Sequence, residues 1–209
     1  LTGFWCALTI AFHSLPGVDI AVSRLFQDSA CAARTVQNCP VFPLATNATL
    51  AFLRQSMHVL PAVVAVALLG WYAIQFLAGR TLADAKMRAH AVLVLGFAFG
   101  PGVFVNGLMK AHMGRPRPHE TDLFGGALPF VPAGEYSTYC TSNCSFVSGE
   151  ASGAFWLLGL LALVPQKSRR AAAWVLVPAA LFFSLLRVAF GAHYLSDALL
   201  GGLSSIVIL

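Results

Sequence analysis

Charged side chains are scarce in this sequence: they make up 10% of its 209 residues, against about 25% in soluble domains. Together with 58% hydrophobic residues and a mean hydropathy of +0.76, that scarcity excludes an ordinary soluble domain and indicates a polytopic membrane protein. Acidic residues are the rarer sign, 8 against 13 Lys and Arg, for a net charge of +5. The cations never gather into a basic run, so there is no footprint for nucleic acid. A lipid surface or a phosphate-bearing substrate suits them better. No internal repeat or low-complexity segment divides the chain, and its length allows one domain over 1–209. Leu1 to Ile10 and the residues before Leu209 are apolar, so both ends read as trimmed.

What is abundant is apolar sequence in blocks of membrane-spanning length, about 20 residues per helix. Spans are expected at 1–15, 57–79, 89–110, 148–165, 171–190 and 193–209, giving an all-α, six-transmembrane-helix bundle. Pro101, flanked by Gly96, Gly100 and Gly102, predicts a kink in the third span. Two long loops remain, roughly 16–56 and 111–147. Val18, Ile20, Ala21, Leu25 and Phe26 fall near helical spacing in the first, which predicts an amphipathic piece on the membrane surface.

Five cysteines are present. Cys6 lies in an apolar stretch, while Cys31 and Cys39, and Cys140 and Cys144, form close pairs in the long loops. No His cluster accompanies either pair, so zinc is not indicated. The spacing predicts disulfides Cys31–Cys39 and Cys140–Cys144, which need an oxidising compartment. The short loops at 80–88 and 166–170 carry Arg80, Lys86, Arg88, Lys167, Arg169 and Arg170. The positive-inside rule puts those loops in the cytoplasm. Alternation of the spans then puts both cysteine loops outside, in agreement with the disulfides.

Three motifs fall at the outer ends of these spans. Lys110 and Arg117-Pro118 come first, with Arg115 between them. A guanidinium fork suits bidentate contact with phosphate oxygens, and Lys supplies a point charge. Ser148-Gly149 then opens the fourth span, where free N–H groups favour an anion. Last come Arg187, His193 and Asp197. Four residues apart, His193 and Asp197 would share one helix face, so that Asp197 accepts from one ring nitrogen and leaves the other to attack phosphorus. An intramembrane His–Asp pair beside an Arg is costly, which makes a functional role the default.

The spacings K-x6-R-P and R-x5-H-x3-D, with Ser-Gly between them, resemble the type 2 phosphatidic acid phosphatase family of membrane lipid phosphatases. The resemblance covers the chain from about residue 50 to its end. It implies a phosphate held by Lys110, Arg117, Ser148, Gly149 and Arg187, with His193 as nucleophile and Asp197 as its partner. It further implies no metal, no cofactor, and phosphate released from a membrane lipid such as lipid A, a polyprenyl diphosphate or a phospholipid phosphate. In a bacterium the site would face the periplasm from the inner membrane.

Two positions depart from the family pattern. Leu186 stands where the family usually has Ser, and Glu150 where it has the His that protonates the leaving group. A protonated Glu150 can take over as general acid, and His112 or His119 from the first motif's loop are the other candidates. The same residues would serve a phosphotransferase with a polyprenyl diphosphate donor. A lipid-phosphate-binding protein without turnover is the reading from another class.

Overall fold

The computed structural model describes residues 1–33 and 39–209. Its helices are α1 (Thr2–Ser14), α2 (Pro16–Arg24), α3 (Ser29–Ala32), α4 (Ala48–Leu77), α5 (Ala85–Phe97), α6 (Lys110–His112), α7 (Gly149–Trp156), α8 (Gln166–Ala189) and α9 (Leu195–Ile208). Among the described residues no strand forms, and the protein is an all-α membrane protein. Ala48–Leu77, Ala85–His112 and Gln166–Ala189 are long and apolar enough to cross a bilayer. Gly149–Ala162 and Leu195–Ile208 are shorter apolar helices at the fourth and sixth expected places. Within the apolar stretch of α4 only 11% is buried inside the protein. Phe52, Val63, Val66, Leu69 and Ile74 point outward instead, as lipid-facing side chains do.

The structure adds to the sequence at one helix and corrects it at another. At Pro101 the third span continues from α5 as a π-helix, Ala98–Met109, and returns to α-helix in α6. The wider turn accommodates a residue that has no N–H to give. Asn106 fixes this stretch by donating from Nδ2 to the Pro101 carbonyl at 2.6 Å. The first span, in turn, bends by 75° at Leu15 into α2. The inner side of α2 is not a free surface piece. Asp19 is fully buried, and Val22 and Phe26 pack on Ala151, Val188 and Ala198 of α7, α8 and α9.

Tight crossings set the positions of the short helices. A Cβ at Gly201 would lie 2.3 Å from the Ser148 carbonyl oxygen, and one at Gly202 would lie 2.7 Å from Phe155. α9 therefore touches the start of α7 backbone to backbone, and the Ser148 N–H donates to the Asp197 carbonyl at 2.9 Å. The loop over this end is held by Cys140–Cys144, and the first long loop by Cys31–Cys39. Residues 34–38 of that first loop lie outside the described residues. Cys6 is a free, exposed thiol.

Candidate active site

The elements deliver the motif residues to one end of the bundle. α5 and α8 start beside the two basic loops and run away from them, so Lys110 and Arg187 both arrive at the opposite end. There a cavity of about 180 Å³ opens, walled by Arg54, His58, Lys110, Arg117, Glu150 and Arg187. Its deeper lining is apolar and includes Met57, Pro61, Phe97, Pro101 and Gly153. A cationic rim over an apolar floor fits a phosphorylated amphiphile. Gly149 belongs to the wall as well, and a Cβ there would press on Asn106 Oδ1 at 2.9 Å.

The first motif is oriented by a loop that the sequence does not mark as functional. Asn143 adopts a left-handed conformation (φ 50°) inside the ring closed by Cys140–Cys144. Its carbonyl accepts from Arg117 Nη2 at 2.8 Å and Nε at 3.1 Å, and its Oδ1 lies 3.4 Å from Lys110 Nζ. The ring thus aims both cations. Opening it with the double substitution Cys140→Ala/Cys144→Ala is expected to raise KM about tenfold, the equivalent of one or two hydrogen bonds, with a smaller change in kcat. Michaelis curves for the folded variant check this, and an unchanged KM would remove the ring from the account.

His193 sits behind this wall and is 1% exposed. It does not share a helix face with Asp197, because α9 begins only at Leu195 and His193 lies in the turn before it. That turn folds back on α8: the N–H groups of Ala192 and His193 both donate to the Arg187 carbonyl, at 3.1 and 3.3 Å. Gly191 supplies the required positive φ of 63°. The ring's Nδ1 lies 2.8 Å from the Ser145 carbonyl oxygen. A carbonyl only accepts, so Nδ1 carries the hydrogen and Nε2 keeps its lone pair. Burial, followed by the charges of Arg187, Lys110 and Arg117, holds the imidazole well below its ordinary range, which keeps the ring neutral.

Asp197 therefore does not set the tautomer directly. Its Oδ2 is 3.9 Å from His193 Nδ1. It accepts from Ser145 Oγ at 2.5 Å, Tyr194 N at 2.9 Å and Arg115 Nη1 at 2.6 Å. Through Ser145 it holds the peptide whose carbonyl orients the histidine. Arg115 is likewise not a wall residue. It is fully buried, bonds Asp19, Asp197, Ser196 and the Val131 carbonyl, and stacks 4.2 Å from the Tyr194 ring centroid.

The other expected residues separate into two groups. Ser148 caps α7, its Oγ accepting from Ala151 N at 3.3 Å, and it is fully buried behind Gly149. His119 braces the turn that carries His193, Nδ1 donating to the Gly191 carbonyl at 2.8 Å. His112 donates to the Leu108 carbonyl on its own helix. Neither imidazole lines the cavity. Arg187 does, and its Nε is buried without a hydrogen-bond partner, 3.3 Å from Glu150 Oε2. An unsatisfied guanidinium nitrogen facing a cavity is a ready anion contact.

A family match over residues 91–209 takes in every motif residue from Lys110 to Asp197. The chain belongs to the PAP2 superfamily. This PAP2 chain is 41% identical to a Rhizobium leguminosarum protein named Lipid A 4'-phosphatase, over 98% of its own length and 89% of the relative's. It is 42% identical to a Rhizobium etli protein of the same name, over 98% of itself and 81% of that relative. A Francisella tularensis subsp. novicida protein, again named Lipid A 4'-phosphatase, is 38% identical over half of this chain and 47% of its own. No solved structure matches the chain. The family resemblance read from the motifs is thus borne out, and the chain is a multi-pass membrane phosphatase of the PAP2 type.

Sequence reasoning missed Arg54, His58, Asp19, Asn143 and Ser145. The first three lie before the matched segment and belong to no motif. Arg54 and His58 do leave a signal, four residues apart at the head of an apolar helix. Asp19 leaves another, a carboxylate among apolar helical positions.

Proposed function

We propose that this enzyme removes a phosphate monoester from lipid A at the periplasmic face of a bacterial inner membrane, through a phosphohistidine on His193. The observation that carries the reading is the cavity itself: Lys110, Arg117 and Arg187 meet over an apolar floor, with the unprotonated Nε2 of a neutral histidine behind them. The substrate class is taken from the names of the full-length relatives. Two features support the outer face. The site lies at the end of the bundle away from both basic loops, and two disulfides lie in the loops at its own end.

In this mechanism the lipid stays in the bilayer and its phosphate enters the cationic wall. Lys110, Arg117 and Arg187 neutralise the three non-bridging oxygens and stabilise the charge of the in-line transition state. The free N–H groups at the start of α7, reached past Gly149, add donors that no side chain obstructs. His193 Nε2 attacks phosphorus, the alcohol of the lipid leaves, and water then cleaves the phosphoenzyme.

The test is inorganic phosphate release in detergent from lipid A, a polyprenyl diphosphate and phosphatidylglycerol phosphate. Release from lipid A well above the other two is the expected result. Preference for either of the others would overturn the substrate assignment. Phosphate that appears on a second lipid rather than in solution would identify a transferase.

A further inference from the structure

In the proposed reaction the leaving lipid alcohol needs a proton, and the geometry of Glu150 shows that it is badly placed to give one. Its Oε1 accepts from Arg54 Nη2 at 2.5 Å, and Arg54 Nε lies 3.1 Å from both carboxylate oxygens. Its Oε2 also faces Arg187 Nε at 3.3 Å. Both oxygens thus accept from the Arg54 guanidinium, so the carboxyl group is turned to that cation and not to a leaving group. The position that should carry the acid is committed to two arginines.

One imidazole stands beside it. His58 Nδ1 lies 3.5 Å from Glu150 Oε1, and the side chain is 55% exposed at the cavity wall. His58 is one helical turn after Arg54, so α4 presents both to the same carboxylate. It is also the last polar residue before the long apolar run that starts at Val59. The remaining histidines are otherwise engaged. His13 bonds the Ala133 carbonyl, His90 stacks on Trp71 with centroids 3.7 Å apart at the far end of the bundle, and His112 and His119 bond backbone carbonyls outside the cavity. His193 is the nucleophile.

Resting on the phosphatase reading above, we propose that His58 is the proton donor to the leaving oxygen, with Glu150 as the carboxylate that orients its ring. The pair would supply from α4 and α7 what a single histidine after Ser-Gly would supply from α7 alone. In the first step a bond forms between His193 Nε2 and phosphorus while the bond from phosphorus to the lipid oxygen breaks. The electron pair stays on that oxygen, which takes the proton from His58 Nε2 and departs as the alcohol. In the second step water attacks the phosphohistidine and returns a proton to His58. The electron pair of the phosphorus–nitrogen bond goes back to His193. Glu150 has a second effect. Its carboxylate is hydrogen-bonded to Arg54 and faces Arg187 at 3.3 Å, so it competes with phosphate for those cations.

The test separates proton donation from structure by varying the leaving group. With lipid A, whose alcohol must be protonated, His58→Gln is expected to lower kcat by about 10² to 10³. With p-nitrophenyl phosphate, whose phenolate leaves without a proton, the rapid release of phenolate that accompanies phosphoenzyme formation should stay within about fivefold of native in the same variant, since only the later water step then needs His58. Glu150→Gln should lower kcat on lipid A as well, yet bind inorganic phosphate more tightly as a product inhibitor. His58 is largely exposed, so its variant is expected to fold, and an unfolding curve matching the native one verifies that. An equal loss in the rapid phenolate release, or full activity of His58→Gln on lipid A while His193→Ala is inactive, would overturn the assignment and leave the phosphatase reading standing. A native protein that releases phosphate from neither substrate would overturn both.

Discussion

Replacing His193 by alanine is expected to remove phosphate release by a factor of at least about 10⁴, the scale seen when a nucleophile is deleted from an intact site. The cations of the wall would still bind the phosphate, so KM should change far less than kcat. This split follows from the geometry, because His193 stands behind the wall and does not form part of it. Native enzyme mixed with radiolabelled lipid phosphate and quenched in alkali should carry label that acid removes, as a phosphoramidate does. The alanine variant should carry none. Retention of more than a tenth of native activity, or label that survives acid, would sink the phosphohistidine.

Arg115→Met should produce the largest loss of stability in the chain. Arg115, Asp19 and Asp197 are all fully buried, and the arginine bridges the two carboxylates at 2.8 and 2.6 Å. Removing the cation strands two charges in a low-dielectric interior, and breaking such a pair costs about 3 to 5 kcal/mol. The melting midpoint in detergent is then expected to fall by about 10 °C. The damage should reach the site, since Asp197 fixes Ser145, whose carbonyl orients His193. Adding Asp19→Asn removes one stranded charge and should restore part of the lost stability. A midpoint within 2 °C of native for Arg115→Met would show that the network carries little of the fold.

Much of this architecture was legible in the sequence because bilayer solvation imposes strong local rules. Lipid cannot satisfy a backbone, so apolar blocks of sufficient length become helices whatever surrounds them. Helices indeed form at all six expected places, although three of them meet the length and composition needed to span and the bent α1–α2 pair makes at most a fourth. The π-helical course through Pro101 was not legible. Pro and Gly signal a kink on local grounds, whereas a π-helical register and the Asn106 contact depend on the turn that forms around them.

The wall of the site was partly legible for a related reason. Lys110, Arg117, Gly149 and Arg187 lie on motif spacings, and the cavity brings them together. Asp197 lies on the same spacings and Arg115 between two motif residues, but the structure gives both to a buried network. The His–Asp spacing of four suggested direct contact, yet a helix that begins two residues after His193 turns the ring to Ser145 instead. Spacing reports who is near whom only if the backbone between them is helical.

The sequence by itself determined an all-α membrane protein with its cations and histidine at one end, because composition, helix length and charge bias act over a few turns of chain, and its motif spacings carried the resemblance to a phosphatase family. Only the tertiary structure decided which of those groups face the cavity and which hold it up. It placed Arg54 and His58 against Glu150, 96 and 92 positions away in the chain. It also placed Asp19 beneath Arg115. Such partners are chosen by the packing of whole helices, and a buried charge must find whichever counter-charge that packing brings within reach.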